Sequence, residues 1–285
     1  MSSLLRKVVP GRKAGVTPIT LGQSIFDPIF LGIDDFGSTV NIHLPHRNML
    51  AAGEPGGGKS VLLNNIVAPA ALCTDVQLVL IDGKEVELGM WEDIADVFVG
   101  RSEVEAIRIL RLLQEEMNRR YDWLKTVRRR KIDQGDDHPF ILVVIDELAW
   151  FSATVGDKNS QETFIRLVRD LVARGRAAGV IVIAATQRPS ADIVPTNLRD
   201  IFSYRCAFRC TTEASSDIIL GTGWAKKGYD ATSIPPEARG VGWLLAEGGY
   251  PRRFKGAYLS DDNIDELVNR AAAIRHHHHG GGRAA

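Results

Sequence analysis

The residues best equipped for chemistry stand together at 53–60, Gly-Glu-Pro-Gly-Gly-Gly-Lys-Ser, where the spacing G-x-x-x-x-G-K-S closes on a lysine and a hydroxyl. Glycines at 53, 56, 57 and 58 let bare backbone approach a ligand, so successive N–H groups can converge on a β-phosphate at a helix start. Lys59 would then reach the β- and γ-phosphates, and Ser60 would ligate Mg²⁺. The competing explanation is a glycine-rich turn that fits by accident. The flanks argue against it: apolar Met49-Leu-Ala-Ala52 leads in, and Val61, Leu62 and Ile66 continue a helical pattern. The nucleotide contacts expected are Gly53, Glu54, Pro55, Gly56, Gly57, Gly58, Lys59, Ser60 and Val61, with ATP and Mg²⁺ as the bound species.

A second set of candidates follows two apolar runs. Phe140-Ile-Leu-Val-Val-Ile145 ends in Asp146-Glu147. In that order the first carboxylate can hold the Mg²⁺ shell and the second can polarise an attacking water. An acidic pair after a strand is common by itself; downstream of the phosphate loop it becomes specific. Val180-Ile-Val-Ile-Ala-Ala185 ends in Thr186-Gln187, which sets an amide at a strand's C-terminal end, where open parallel sheets bind ligands. Gln187 could hydrogen-bond the γ-phosphate or its water, or be a satisfied polar residue at a strand exit.

Positioning these groups takes a buried parallel sheet. Val76–Ile81, Phe140–Ile145 and Val180–Ala185 are continuous apolar runs, as strands covered on both faces require. Between them, Ser102-Glu-Val-Glu105 reads as a capping box opening a long helix, with Val104, Ile107, Leu110, Leu113, Met117, Tyr121 and Leu124 on one side. A further helix spans 160–179, with Phe164, Leu167, Val168, Leu171 and Val172 apolar. The fold class expected is α/β: a mostly parallel central sheet flanked by helices, of the additional-strand P-loop type, preceded by a small β-hairpin in 25–44. Ser203–Cys210 alternates like a strand with Arg205 and Arg209 on a wet face. The division expected is a basic arm over 1–24, one motor domain over 25–275 and a histidine-containing tail or tag over 276–285.

The bulk properties exclude less. In 285 residues, 35 basic side chains balance 35 acidic ones, so composition does not favour nucleic acid and any basic surface must be local. Three cysteines, Cys73, Cys206 and Cys210, form no C-x-x-C pair and suit a reducing cytoplasm as small core residues. No apolar run nears the ~18 residues needed to cross a bilayer, so a membrane role would need an anchoring partner protein.

Taken in order, Pro45-His46 through Gly53, Gly56-Gly-Gly-Lys-Ser-Val61, Leu80-Ile-Asp-Gly-Lys-Glu-Val-Glu-Leu88, Glu116-Met-Asn-Arg-Arg-Tyr121, Val144-Ile-Asp-Glu147, Arg176-Ala-Ala-Gly179 and Ala185-Thr-Gln-Arg-Pro-Ser190 resemble the FtsK/SpoIIIE family of DNA-pumping motors. The resemblance implies a RecA-like ATPase ring, usually a hexamer, that drives double-stranded DNA through its centre. Carried over by position, Lys59 and Ser60 bind phosphate and Mg²⁺, Asp146 supports the metal, Glu147 acts on water and Gln187 resembles the sensor. Arg176 is the first choice for an arginine finger reaching a neighbour's nucleotide, Arg205 the second; an ordinary surface ion pair is the alternative for either.

Departures from the family pattern are Glu54-Pro55 in the loop and Gly83 where proline is common. Without a membrane-spanning N-terminal region or a winged-helix module, the chain is similar to the compact FtsK-like transfer proteins of actinobacterial conjugative elements. DNA-facing loops are expected vaguely at Phe151–Ser160 and Gly221–Tyr229, with Lys158, Lys226 and Lys227. The alternative functions are protein export of the type VII secretion kind, chromosome segregation, and a nucleotide-gated scaffold.

Overall fold

The computed structural model describes residues 23–280, and side chains through Arg275. The arm expected over 1–24 falls almost wholly outside the described residues. One ten-stranded sheet carries the chain, in the order β2-β1-β10-β9-β8-β3-β7-β6-β4-β5. Six neighbouring strands run parallel: β3 (Met49–Ala52), β4 (Val76–Ile81), β5 (Val97–Val99), β6 (Phe140–Ile145), β7 (Val180–Thr186) and β8 (Tyr204–Phe208). The remaining four, β1 (Ile29–Asp34), β2 (Thr39–Ile42), β9 (Val241–Ala246) and β10 (Arg252–Gly256), extend it antiparallel. The expected hairpin is β1–β2. It is not a separate prelude, because β1 pairs with β10 and continues the same sheet.

The apolar runs bury both faces, as a parallel sheet under two helical layers must. Leu78, Leu80, Leu142 and Val144 face one core with α1 (Lys59–Ala71) and α6 (Asp261–Gly280); Val79, Ile81, Val143 and Ile145 face the other with α2 (Glu103–Thr126) and α3 (Lys158–Arg174). Two short helices, α4 (Thr196–Arg199) and α5 (Glu213–Leu220), complete the second layer. Buried Asn48 locks the centre: its Nδ2 donates to Val172 O at 2.9 Å and its Oδ1 accepts from Val182 N at 2.7 Å.

Helix ends follow local rules. Ser102 accepts from Glu105 N at 3.2 Å at the start of α2, and Asp157 accepts from Ser160 N at 2.7 Å at the start of α3. The buried face of α3 is the expected Phe164, Leu167, Val168, Leu171 and Val172, but its α-helix stops at Arg174 and a 3₁₀ turn, Gly175–Ala178, leads into β7. Val104 is 69% exposed rather than on the apolar side of α2, whose first turn puts Ala106 into the core instead. The backbone of α6 stays helical to Gly280, past the Ile274 at which the sequence pattern ended it.

Candidate nucleotide site

All six parallel strands point their C-terminal ends to one edge, and the loop after β3 crosses it into α1. Close backbone approach explains two of its glycines. A Cβ on Gly53 would lie 2.5 Å from Phe208 Cβ at the end of β8. One on Gly58, whose φ is +128°, would lie 2.5 Å from Gly240 Cα. Gly53 N donates to Thr186 O at 3.3 Å and Glu54 N to Arg209 O at 2.9 Å, so neighbouring strand ends hold the loop from both sides.

Lys59 is buried, 3% exposed, and its Nζ donates to Asp146 Oδ1 and, at 3.1 Å, to Asp146 O. The other carboxylate oxygen, Asp146 Oδ2, is buried without a hydrogen-bond partner. Burial pushes the Asp146 carboxyl above the ordinary range, and Lys59 beside it pulls the other way. A buried carboxylate oxygen with an open valence fits a hard cation that takes few protein ligands and keeps waters or phosphates, and Ser60, the next residue after the Lys59 that touches Asp146, offers a hydroxyl in the first turn of α1. Ser60 and Asp146 are therefore suited to Mg²⁺, and Lys59 to the phosphates once released from Asp146.

Glu147 is buried and firmly aimed. Its Oε1 accepts from Thr186 Oγ1 at 2.6 Å and Ala149 N at 3.1 Å, and its Oε2 from Gln187 N at 2.9 Å. Gln187 itself is bridged: Lys84 Nζ donates to its Oε1 at 3.0 Å and stands 4.0 Å from Glu147 Oε2. The structure thus brings Lys59, Asp146, Glu147 and Gln187 together from α1, β6 and β7.

Two members of this cluster escaped the sequence reading. Thr186 was given no role beyond opening the strand exit after Ala185, and Lys84 none beyond closing the exit Asp82-Gly-Lys84. The signal for Lys84 was its place at a strand exit, in Asp82-Gly-Lys84, opposite the other two strand exits. Asp82 beside it is structural: its carboxylate accepts from Lys84, Glu85, Val86 and Leu88 N, which folds the turn that presents Lys84.

The Glu54 side chain turns away from the loop to pair with Arg209 at 2.6 Å, so it reaches the site through its backbone. Arg209 and Arg205 do not form the expected wet face. Both are partly covered, Arg205 being 17% exposed and 3.5 Å from Asp200. Arg176 lies at the other edge of the sheet, just before β7. Its Nε donates to His46 O at 2.8 Å, its Nη2 lies 3.4 Å from Glu247, and it is 42% exposed. Arg176 and Arg205 line one cavity of about 720 Å³ with Asp200, Trp224 and Tyr250. Neither belongs to the cluster at the phosphate loop of its own chain.

The two basic loops are not brought together either: Lys158 begins α3 on the phosphate-loop edge, whereas Trp224 and its neighbours open onto the Arg176 cavity, with Lys227 stacked 4.8 Å over the Trp224 ring. At the end of α2, Arg129 pairs with Asp136 and Lys131 with Asp133, so half of the basic run at 128–131 is locally neutralised. Burial pushes the Cys73 and Cys210 thiols up to about 12 and the buried Cys206 thiol higher still, as expected of core residues.

A mostly parallel sheet that delivers a glycine-rich phosphate loop, a strand-end Asp-Glu pair and a strand-end glutamine to one edge defines a P-loop ATPase fold. Residues 17–139 match the FtsK/SpoIIIE family, and the chain carries a domain of that family. The DNA translocase FtsK of Corynebacterium efficiens is 31% identical over 277 residues, which cover 86% of this chain and 28% of that protein. The chain thus spans less than a third of that relative's length.

Among solved structures, the pCW3 conjugation coupling protein TcpA, in a monomer form with ATPγS, superposes with a TM-score of 0.73. It shows 24% identity and covers 87% of this chain and 70% of that one. The cytoplasmic domain of the Thermomonospora curvata type VII secretion ATPase EccC gives 0.70 at 22% identity, over 90% of this chain and 33% of that one. At these identities the likeness speaks to the fold. Among the described residues no helix is long and apolar enough to cross a membrane.

Proposed function

We propose that this chain is an ATP-driven translocase of double-stranded DNA that works as a ring, six-membered as the family resemblance implies, in transfer of DNA between cells. The observation that carries the reading is the meeting of Lys59, Asp146, Glu147 and Gln187 at one sheet edge in an FtsK-type domain. Lys59 and the loop amides bind the triphosphate and Ser60 and Asp146 hold Mg²⁺, which neutralises charge on the phosphoryl oxygens. Glu147, oriented by Thr186 and the Gln187 amide, takes a proton from water, and the Gln187 side chain, tethered by Lys84, senses the γ-phosphate. Arg176 completes the site of an adjoining copy, with Arg205 as the alternative. A permanently charged guanidinium in that role is worth about 10³–10⁵ in turnover.

The test is ATP hydrolysis by the purified chain with and without duplex DNA. Stimulation by DNA is expected, together with a binding affinity that falls steeply with salt as counterions are released; hydrolysis indifferent to DNA of every length and at every salt concentration overturns the reading. The likeness to EccC favours one second reading, export of a protein substrate. Capture on the Glu147→Gln variant from nuclease-treated lysate separates them, because protein cargo survives nuclease and DNA does not. In this scheme the motor works in the cytoplasm, with a membrane-anchoring protein among its partners. Residues 25–275 form the motor unit in this scheme.

A further inference from the structure

The segment Glu116-Met-Asn-Arg-Arg-Tyr121 has no part in the nucleotide cluster, yet it contains the most deeply buried ion pair outside it. Glu116 and Arg120 are 2% and 1% exposed and meet at 2.9 Å, while Arg119 bonds the second Glu116 oxygen at 2.6 Å. Burial pushes the Glu116 carboxyl up, and the Arg120 and Arg119 hydrogen bonds overcome that and leave it below the ordinary range. A buried pair need not add net stability once its desolvation is counted, so its contacts decide what it does.

What they fix is the turn that bears Arg176. Tyr121 Oη donates to Arg174 O at 2.6 Å and Arg120 Nη1 to Ala178 O at 3.0 Å. Ile132 N donates to Ala177 O at 2.9 Å, and His46 Nδ1 lies 2.8 Å from Arg176 O while Arg176 Nε returns a bond to His46 O. The carbonyls at 174, 176, 177 and 178 are therefore each taken by a donor from outside the turn. Asn118, also on α2, accepts from Arg174 Nη1 at 3.1 Å. A 3₁₀ turn of four residues, Gly175–Ala178, has little rigidity of its own, so its orientation is set by these partners, of which α2 supplies Arg120 and Tyr121.

We infer that Glu116, Arg120 and Tyr121 are positioning residues that hold the Arg176 turn at the angle needed to reach the nucleotide of an adjoining copy. The inference rests on the finger reading above. A finger misplaced by an ångström forfeits much of its effect while the phosphate loop of its own chain, at the far end of the strands, is untouched.

The test uses mixed assemblies of the full chain. Glu147→Gln copies, which donate only the finger, are mixed with Arg176→Ala copies, which donate only the phosphate loop. Tyr121→Phe is added to one kind of copy at a time; Tyr121 is half-buried, so this variant keeps the fold where Arg120→Ala could lose it. Tyr121→Phe on the finger donors is expected to lower turnover of the mixture about ten-fold at unchanged KM, and on the loop donors to leave it unchanged. Equal effects on either copy, or none on both, overturn the positioning role alone. A reference mixture with no activity at all overturns the finger reading, and this inference falls with it.

Discussion

The two ends of the parallel strands are built on opposite plans. At the C-terminal end the charges are buried and bound mainly to one another: Lys59 with Asp146, Glu147 with Thr186 and Gln187, and one Asp146 oxygen with no partner. At the N-terminal end Arg176 is 42% exposed, with its chain bonded to His46 and Glu247 at the rim of an open cavity. The first arrangement needs a ligand inserted between its own groups. The second presents a cation outward on a turn braced from behind, and in the proposed ring it acts on the nucleotide of an adjoining copy. A motor whose sites lie between copies needs one end of each kind on every subunit.

That contrast can be broken by mutation, and the expected effects fall in order. Arg176→Ala should lower DNA-stimulated turnover by about 10³ or more while leaving ATPγS affinity unchanged, measured by steady-state hydrolysis and equilibrium binding. Retained turnover would mark Arg176 as an ordinary surface pair. Glu147→Gln should keep nucleotide and lose turnover by roughly 10²–10⁴ in a single-turnover assay, the range for removal of a general base.

Glu116→Ala strands the Arg120 guanidinium in the core and should cost about 3–5 kcal/mol in denaturant unfolding. Because the folded Glu116 carboxyl lies below its unfolded value, its share of stability is present above the unfolded pKa of ~4.3. That share is lost as pH falls through the lower folded value. Glu116→Gln should therefore flatten the acid limb of the stability profile. The smallest effect is Lys84→Met, which frees the Gln187 side chain and should reduce turnover about ten-fold with little change in ATP affinity, a loss at the mild end for a positioning contact.

The nucleotide end was far more legible in sequence than the other. Glycine spacing, a lysine, and acidic residues after apolar runs are all local patterns, and parallel topology obliges strand ends to converge, so Lys59, Asp146 and Glu147 could be placed from spacing alone, whereas spacing left Gln187 open and only the family resemblance gave it a role. Lys84 and Thr186 could not, because their roles depend on which strands are neighbours: β4 and β7 flank β6 on either side. The expected hairpin was recognisable as a pair of strands, but its pairing with β10, more than 200 residues on, has no local signature. Arg205 and Arg209 were read as exposed from alternation, but Asp200 and the Gly221 segment crowd Arg205 and the phosphate-loop Glu54 pairs with Arg209, contacts with no local signature.

The central claim is that the catalytic centre is shared between copies, and the mixture of Glu147→Gln with Arg176→Ala chains tests it most directly. Each is expected to be inactive alone. Random 1:1 assembly makes about one junction in four whole, so the mixture should recover roughly a quarter of the unmodified chain's DNA-stimulated hydrolysis. Activity no greater than the sum of the two separate preparations would contradict the account.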